Sequence, residues 1–319
     1  MSLLERLRRF PWWHEAVLAG MLLTLLIVGG RLDPIFVSAN AQLELSTHMW
    51  ELALLSIPVT LIIITAGIDL SVGAMMALSA VVLGLTYERG LSPWIGACLA
   101  LATGALAGAT NGFFVSRIKV HPLIVTLATM AAFRGVAEGV SLARPISNFP
   151  EGFATIGRGD LLGVPLPGLY FVTVALVVAV MLGKTPMGRS IYAIGNNETA
   201  TRFSGIAVGR IKMFLYTFSG LMAGLAGVVY VARRNTAKAD IATGLELDVI
   251  TAVVLGGTSI FGGRGNIMGT VLGVLLIHET REFVSWYWSR DELNPIVIGA
   301  LLILSVLLNR LFRRRSATE

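Results

Sequence analysis

The chain has 319 residues, of which 55% are hydrophobic and only 14% are charged, and its formal net charge is +6. A typical soluble domain has about 25% charged residues, so this composition excludes an ordinary soluble domain and indicates a membrane protein. The positive charge is explained first by membrane orientation, and we expect no nucleic-acid partner. The single cysteine, Cys98, excludes an intrachain disulfide.

Apolar runs long enough to cross a bilayer recur along the whole chain. A spanning helix needs about 20 mostly apolar residues. In chain order the predicted spans lie near residues 15–30, 49–67, 70–87, 93–116, 121–142, 166–183, 212–232, 247–261, 267–280 and 294–309. The fold class predicted is therefore all-α, a polytopic membrane protein with about ten transmembrane helices and glycine-interrupted or re-entrant segments. Nine or eleven crossings stay open because three of the spans are short.

Lysine and arginine are more frequent on one set of loops than on the other. This bias predicts cytoplasmic termini, with a cytoplasmic N-terminal segment at 1–14, a membrane domain at 15–309 and a basic cytoplasmic tail at 310–319. The pair Arg233-Arg234 falls on the outer side and counts against this orientation. The long outer loop 143–165 is rich in Gly and Pro and is predicted to cap the exit or entrance face. The inner loop 184–211 is polar, and we expect a short amphipathic helix or a solvated loop there.

Glycines interrupt the apolar segment 247–273 around a single arginine, Arg264. Irregular backbone at membrane depth is tolerated only where protein buries it or where it lines a cavity. The segment therefore predicts a transport protein, with pathway or helix-break residues Gly256, Gly257, Gly262 and Gly263. The spacing of Gly263 and Gly269 matches that of Gly67 and Gly73, which suggests an internal repeat of the kind that transporters use.

Asp69 lies between two apolar runs, and a charge in a membrane segment is a functional candidate by default. The alternative is that Asp69 caps the following helix by accepting N–H bonds near Gly73. Asn111 ends a glycine-rich span and can bond either sugar hydroxyls or a neighbouring helix. The predicted residues at this helix break or along the pathway are Gly67, Asp69, Ser71, Gly73 and Asn111.

Other polar and small residues in the spans have simpler explanations. Arg134 and Glu138 lie four residues apart and can neutralise each other. Glycines recur at four-residue spacing, where they let helix backbones approach closely, at Gly104, Gly108 and Gly112, at Gly220 and Gly224, and at Gly269 and Gly273. Further intramembrane polar groups are Glu51, Asp248, His278 and Glu279.

No catalytic or metal-binding pattern is recognisable in the sequence. Gly183-Lys184-Thr185 looks like the end of a phosphate-binding loop, but Val178 stands where the first glycine is needed. The four histidines do not cluster, so no metal site is predicted. We expect no enzyme activity and no cofactor in this chain, and any ATP that powers transport must be bound by another subunit.

Four segments together resemble one family: TAGIDLSVGAMMALSA, KVHPLIVTLATM, GRSIYAIGNNETATRFSGI and LELDVITAVVLGGTSIFGGRGNIMGTVLG. In this order they are similar to the membrane permeases of bacterial sugar ABC importers, of the ribose, xylose, rhamnose and autoinducer-2 type, over residues 45–310. The resemblance implies inward transport of a monosaccharide or related solute across the bacterial inner membrane. It also implies a dimer with a second permease copy or paralogue, ABC ATPase subunits that hold ATP and Mg, a periplasmic sugar-binding protein and surrounding membrane lipid.

The resemblance places the ATPase-coupling segment in the inner loop, at Asn196, Asn197, Glu198, Thr199, Ala200, Arg202, Gly205 and Ile206. An ion-coupled secondary transporter of a small polar solute stays open as the alternative, with Asp69, Glu51 and Glu138 as its coupling carboxylates. A membrane enzyme acting on lipid lacks a paired nucleophile and base.

The chain departs from the resembled pattern at HETREFVSWYWSRDELNP, residues 278–295. Trp286 and Trp288 fit an interfacial aromatic belt. The charges Arg281, Arg290, Asp291 and Glu292 could instead dock the binding protein.

Overall fold

The computed structural model describes residues 12–288, 292–301 and 303. Within these ranges the chain is almost entirely helical, which confirms the predicted class. The helices are α1 (Trp13–Leu32), α2 (Ala39–Ser46), α3 (Trp50–Ile64), α4 (Val72–Glu88), α5 (Pro93–Phe113), α6 (Pro122–Ser141), α7 (Glu151–Arg158), α8 (Leu166–Lys184), α9 (Pro186–Asn196), α10 (Glu198–Phe203), α11 (Val208–Arg234), α12 (Leu245–Leu255) and α13 (Ile267–Trp288). A π-helical turn, Phe114–Ile118, extends α5, and residues 293–301 are also helical.

Sheet is limited to two short antiparallel pairs in the described part of the chain. The strand β1 (Ile146–Ser147) pairs with β4 (Thr236–Ala237), and β2 (Asp160–Leu161) pairs with β3 (Val164–Pro165). Three of these strands and α7 lie in the segment 143–165, so it is folded, and its predicted role as a cap stays a prediction. Its anchor is Phe153, whose side chain is 1% exposed.

In the part of the chain that the structure describes, five helices are long and apolar enough to cross a membrane: α1, α5 with its π-helical turn, α6, α8 and α11. The pair α2 and α3 would pass together but is bent by 61°, and α4 is a shorter apolar helix. Each of the ten predicted spans contains a helix, but the count of ten crossings is not confirmed. The reason is that α3 and α12 have 15 and 11 residues, fewer than a full crossing requires.

The centre of the bundle is formed by α3 and α11. Every residue of α3 is buried. The glycines of α5 and α11 allow the two backbones to touch. A Cβ atom at Gly104 or Gly108 of α5 would overlap carbonyl oxygens of α11, and a Cβ atom at Gly220 of α11 would overlap the Gly104 carbonyl. The predicted role of these glycines in helix packing is therefore confirmed, and α5 and α11 form one closely packed pair.

Some predicted features lie outside the described residues. These are the tail 310–319, residues 1–11 of the N-terminal segment, Arg290 and Asp291 of the divergent segment, and residues 302 and 304–309 of the tenth span. The division into the segments 1–14, 15–309 and 310–319 accordingly stays a prediction.

Candidate transport and coupling site

The first helix break separates α3 from α4. After Ile64 the chain turns through Ala66, which has the left-handed φ of 58°. The Gly67 N–H donates to the Ile62 carbonyl over 3.0 Å and ends the helix. Gly67 is needed for packing, since a Cβ atom there would lie 3.0 Å from the Tyr216 hydroxyl. The sequence thus ends one helix and begins the next after the seven intervening residues 65–71, as the glycine pattern predicts.

Asp69 is fully buried in this break and is held by three donors. Its Oδ1 accepts the Ser71 N–H over 3.0 Å and the Ser71 hydroxyl over 2.7 Å. Its Oδ2 accepts the Ser219 hydroxyl of α11 over 2.9 Å. The predicted cap near Gly73 is wrong, because Asp69 Oδ1 accepts the N–H of Ser71, which precedes the helix, and Oδ2 bonds Ser219 of α11. Asp69 therefore ties the break to a distant helix.

The neighbouring helices complete the polar cluster. Asn111 of α5 donates its Nδ2 to the Ser71 hydroxyl over 2.7 Å, so the structure shows Asn111 bonding a neighbouring helix. Its Oδ1 is buried and accepts no hydrogen bond from the described residues. The Ile68 carbonyl accepts the Tyr216 hydroxyl over 3.3 Å and the Thr126 hydroxyl over 3.4 Å. Side chains from α5, α6 and α11 thus satisfy polar groups that the broken backbone leaves free.

The second break, between α12 and α13, is built on glycines. Gly257, Gly262 and Gly263 have φ values of 92°, 81° and 73°, in the region that disfavours residues with a Cβ atom. A Cβ atom at Gly256 would lie 2.5 Å from the Gly269 carbonyl oxygen. At the offset that aligns Gly67 with Gly263, Gly262 aligns with left-handed Ala66. The two breaks therefore share one left-handed position, but Gly263 has a positive φ and Gly67 does not, and the internal repeat stays a prediction.

The two breaks contact each other. The Gly263 N–H donates to the Ile64 carbonyl at the end of α3 over 2.9 Å. A Cβ atom at Gly262 would lie 2.9 Å from the Ala66 Cβ. Residues from opposite ends of the sequence thus form one compact junction of irregular backbone, which buries polar groups that could not face lipid.

The inner loop packs directly on this junction through α9. The Tyr192 hydroxyl donates to the Gly265 carbonyl over 2.7 Å. A Cβ atom at Gly195 would overlap the Ile64 carbonyl, and one at Gly263 would overlap Asn196 Oδ1. Asn196, from the predicted coupling set, therefore touches the predicted helix-break set. Tyr192 and Gly195 were missed by sequence reasoning, since nothing local marks them.

The short helix α10 carries most of the other predicted coupling residues. Asn197 caps it by accepting the Ala200 N–H on Oδ1 over 2.9 Å. It ends at Phe203, and Gly205 follows with a φ of 81°, so Gly205 and Ile206 lie after the helix. The Phe203 side chain is 87% exposed. Of the remaining predicted residues, Thr199, Ala200 and Arg202 are exposed.

Glu198 joins α10 to α11. Its carboxylate accepts from Arg202 over 2.7 Å and from Lys212 over 2.5 Å. Partial burial by itself would raise the pKa of Glu198, but the bonds and charges of Lys212 and Arg202 outweigh it and hold the pKa below its ordinary value. The Lys212 side chain is 12% exposed, so this ion pair is screened less than a fully exposed one.

Charges elsewhere in the bundle are paired with distant partners. Glu51 accepts from buried Arg233 over 2.8 Å, so one of the two cations that counted against the orientation is neutralised inside the protein. The charge of Glu138 acts on Arg134, as predicted, but the two side chains make no direct contact. Arg134 forms no ion pair with Glu138 and donates to backbone carbonyls of the segment before α12, including Ile241 over 2.7 Å.

Two side chains of the divergent segment also bond residues elsewhere in the protein. Arg281 donates to Asp248 over 2.5 Å, and Trp286 Nε1 donates to Asp33 over 3.1 Å. Trp286 and Trp288 are 37% and 55% exposed. Among the residues that the structure describes, no group of three or more His, Cys, Asp or Glu side chains could hold a metal ion.

A helical bundle with broken central helices, their buried polar junction and an amphipathic loop helix packed on it defines a polytopic membrane transport protein. The family model described as branched-chain amino acid transport system, permease component, matches residues 42–306. The chain belongs to this permease family and is a permease component of an ABC importer. Such permeases work with ATPase and binding-protein partners.

Individual relatives cover nearly the whole chain. The ribose import permease protein of Bacillus subtilis (strain 168) is 38% identical over 91% of this chain and 90% of its own length. The ribose import permease protein of Escherichia coli (strain K12) is 37% identical over 93% and 94%. The autoinducer 2 import system permease protein of Escherichia coli O9:H4 (strain HS) is 32% identical over 93% and 92%.

Proposed function

We propose that this chain carries a monosaccharide or related sugar-like solute inward across the bacterial inner membrane, powered by ATP that a separate subunit binds with Mg. Ribose and autoinducer-2 import permeases among its relatives support the solute class. A neutral polyhydroxylated solute needs weak hydrogen-bonding groups and no charged site. Asn111 Oδ1, buried without a donor among the described residues, is a group of this kind beside the helix break.

The single observation that carries the coupling proposal is one face of α11. Lys212 bonds Glu198 of the coupling helix, Tyr216 bonds the Ile68 carbonyl, and Ser219 bonds Asp69. Spacings of four and three residues place these side chains on one side of a helix. A displacement of α10 would therefore act on the first break through a single rigid element.

Because α5 packs closely on α11, a displacement of α11 would move α5 with it. Asn111 of α5 bonds Ser71 on the far side of the break, while the glycine contacts hold α5 against α11. ATP-driven closure of the ATPase subunits would displace α10 and rock α5 and α11 together around the break. This is alternating access by rigid-body movement.

Contacts at the start of α1 support a cytoplasmic position for the N-terminus. His14 Nε2 lies 2.9 Å from the Leu255 carbonyl, and Glu15 accepts from Asn266 over 2.6 Å. These residues flank the second break, on which α9 also packs. The start of α1 and the inner loop therefore lie on the same side of the bundle, as the proposed orientation with both termini in the cytoplasm requires.

The proposed assembly contains a second permease copy or a paralogue, ABC ATPase subunits, a periplasmic sugar-binding protein and membrane lipid. Co-purification from the native host, followed by identification of the subunits, tests it directly. We expect Glu198→Lys and Gly205→Trp to abolish ATP-dependent uptake and to reduce ATPase retention, because both disturb α10. Glu44→Lys is the matched charge reversal on the exposed surface of α2 and should retain the ATPase.

Retention of the ATPase by all three variants would contradict the proposed coupling surface. Labelling of α10 from outside the cell would contradict the orientation.

The ion-coupled alternative predicts uptake without the ATPase. It needs carboxylates that are free to exchange ions, but two of its three candidates are engaged: Glu51 is paired with Arg233, and Asp69 accepts three hydrogen bonds. Vesicles that contain this chain without ATPase, supplied with a proton or sodium gradient, should show no solute uptake. Uptake in such vesicles would replace the ABC proposal with the ion-coupled one.

A further inference from the structure

A polar cavity of about 280 Å³ lies beside the coupling helix. The π-helical end of α5 and the start of α6 form one wall, and α10 with the start of α11 forms the other. Its polar lining includes Ser116, Lys119, His121, Glu198, Arg202 and Lys212. Its volume is slightly below the range of sites for drug-sized ligands, so it suits a small headgroup.

The lining carries more positive than negative charge. Lys119, Arg202 and Lys212 face a single carboxylate, Glu198, which Arg202 and Lys212 already share. The Lys119 side chain has no ion-pair partner among the residues that the structure describes. Because Glu198 neutralises only one of the three cations, the cavity retains an excess of positive charge that an anion would balance.

The backbone at the cavity wall is irregular in a way that positions Lys119. The turn Phe114–Ile118 is π-helical, and Lys119 then adopts a left-handed φ of 64°. The Val120 N–H donates back to the Phe114 carbonyl over 3.1 Å and fixes this bend. π-Helical turns inside α-helices are frequent at functional sites.

Exposed apolar side chains adjoin the cavity on the same stretch of helix. Phe113, Phe114 and Ile118 are 47%, 41% and 54% exposed. A lipid offers both matching parts, an anionic phosphate for the cavity and acyl chains for the apolar surface. Basic pockets between transmembrane helices on the cytoplasmic side bind anionic headgroups.

We propose that this cavity binds the phosphate of an anionic phospholipid headgroup, with Lys119 as its main unpaired cation. The assignment to the inner leaflet rests on the proposed function, but the binding itself does not. An occupied cavity would place an anion next to Lys212 and Arg202, the partners of Glu198. Lipid would thereby act on the contact between α10 and α11.

Native mass spectrometry of the detergent-purified full chain tests the proposal, with phosphatidylglycerol, phosphatidylcholine of the same acyl chains, or inorganic phosphate as the probe. We expect preferential retention of phosphatidylglycerol. Lys119→Gln should reduce this preference about fivefold, the effect of one cation near an anionic surface. Arg117→Gln removes a cation two residues away that does not line the cavity, and Lys119→Arg restores the charge; both should keep the preference.

Equal retention of the two lipids, or equal losses in Lys119→Gln and Arg117→Gln, would overturn the proposal. Lys119-dependent binding of inorganic phosphate without lipid preference would overturn the lipid source. Protection of position 119 from labelling by added ATPase, without lipid retention, would assign the cavity to an acidic segment of that partner. All measurements use the chain without ATP or sugar, so their failure leaves the transport proposal intact.

Discussion

Replacement of Asp69 by alanine should destabilise the whole bundle, because its carboxylate joins the break to α11. The variant removes three hydrogen bonds, from the Ser71 N–H, the Ser71 hydroxyl and the Ser219 hydroxyl. Side-chain hydrogen bonds in membrane proteins average about 0.6 kcal/mol, which gives about 2 kcal/mol for three. Each buried donor left unsatisfied adds about 1 kcal/mol or more, so we expect a loss of about 2–5 kcal/mol.

The measurement is reversible unfolding of the full chain in mixed detergent, with the free energy of unfolding compared between variants. Asp69→Asn keeps one oxygen acceptor and similar volume, so it should lose less than Asp69→Ala. Asp240→Ala removes an exposed carboxylate in the segment before α12 and should change stability by at most about 0.5 kcal/mol.

A double-mutant cycle with Ser219→Ala isolates the bond between the break and α11. Because each single variant already breaks this bond, the two effects should sum to more than the effect of the double variant. Equal stability of Asp69→Ala and Asp240→Ala, or strict additivity with Ser219→Ala, would refute the assignment of Asp69 as the structural link.

Three further predictions concern backbone packing, pH and the coupling loop. Gly220→Leu should lower stability by about 1–3 kcal/mol in thermal unfolding, because its Cβ would overlap the Gly104 carbonyl. Gly135→Leu serves as the control, because Gly135 is exposed and a Cβ atom there has no neighbour within 4 Å. The lowered pKa of Glu198 means that its ion pairs stabilise α10 above the carboxyl's ordinary pKa and are lost as the pH falls through the lowered value. A spin label on α10 should therefore gain mobility only at a pH below the ordinary pKa of a glutamate, and a Glu198→Gln variant that still shows this transition would contradict the explanation. Gly205→Ala should reduce uptake without reducing the amount in the membrane, since its φ of 81° costs a residue with a Cβ atom about 1–2 kcal/mol, and helical Gly183→Ala should be neutral.

The sequence by itself determined the helical membrane class, the position of both helix breaks and the glycine contacts between helices. These features are local: apolar length sets a span, and a glycine or an isolated charge within it marks an interruption or a close approach. The family followed from four segments in order. The number of crossings did not follow, because α3 and α12 are shorter than their apolar runs.

Only the tertiary structure decided which polar groups meet. Ser219, which bonds Asp69, and the partners of Glu51 and Arg134 lie about 100 to 180 residues away along the chain, and no local pattern encodes such pairings. A pattern within one helix suggests Glu138 for Arg134, whereas the half-buried guanidinium donates to the carbonyls that tertiary packing brings near. The contact of α9 with both breaks likewise arises from packing, since low-polarity surroundings force every broken backbone group to find a partner within the protein.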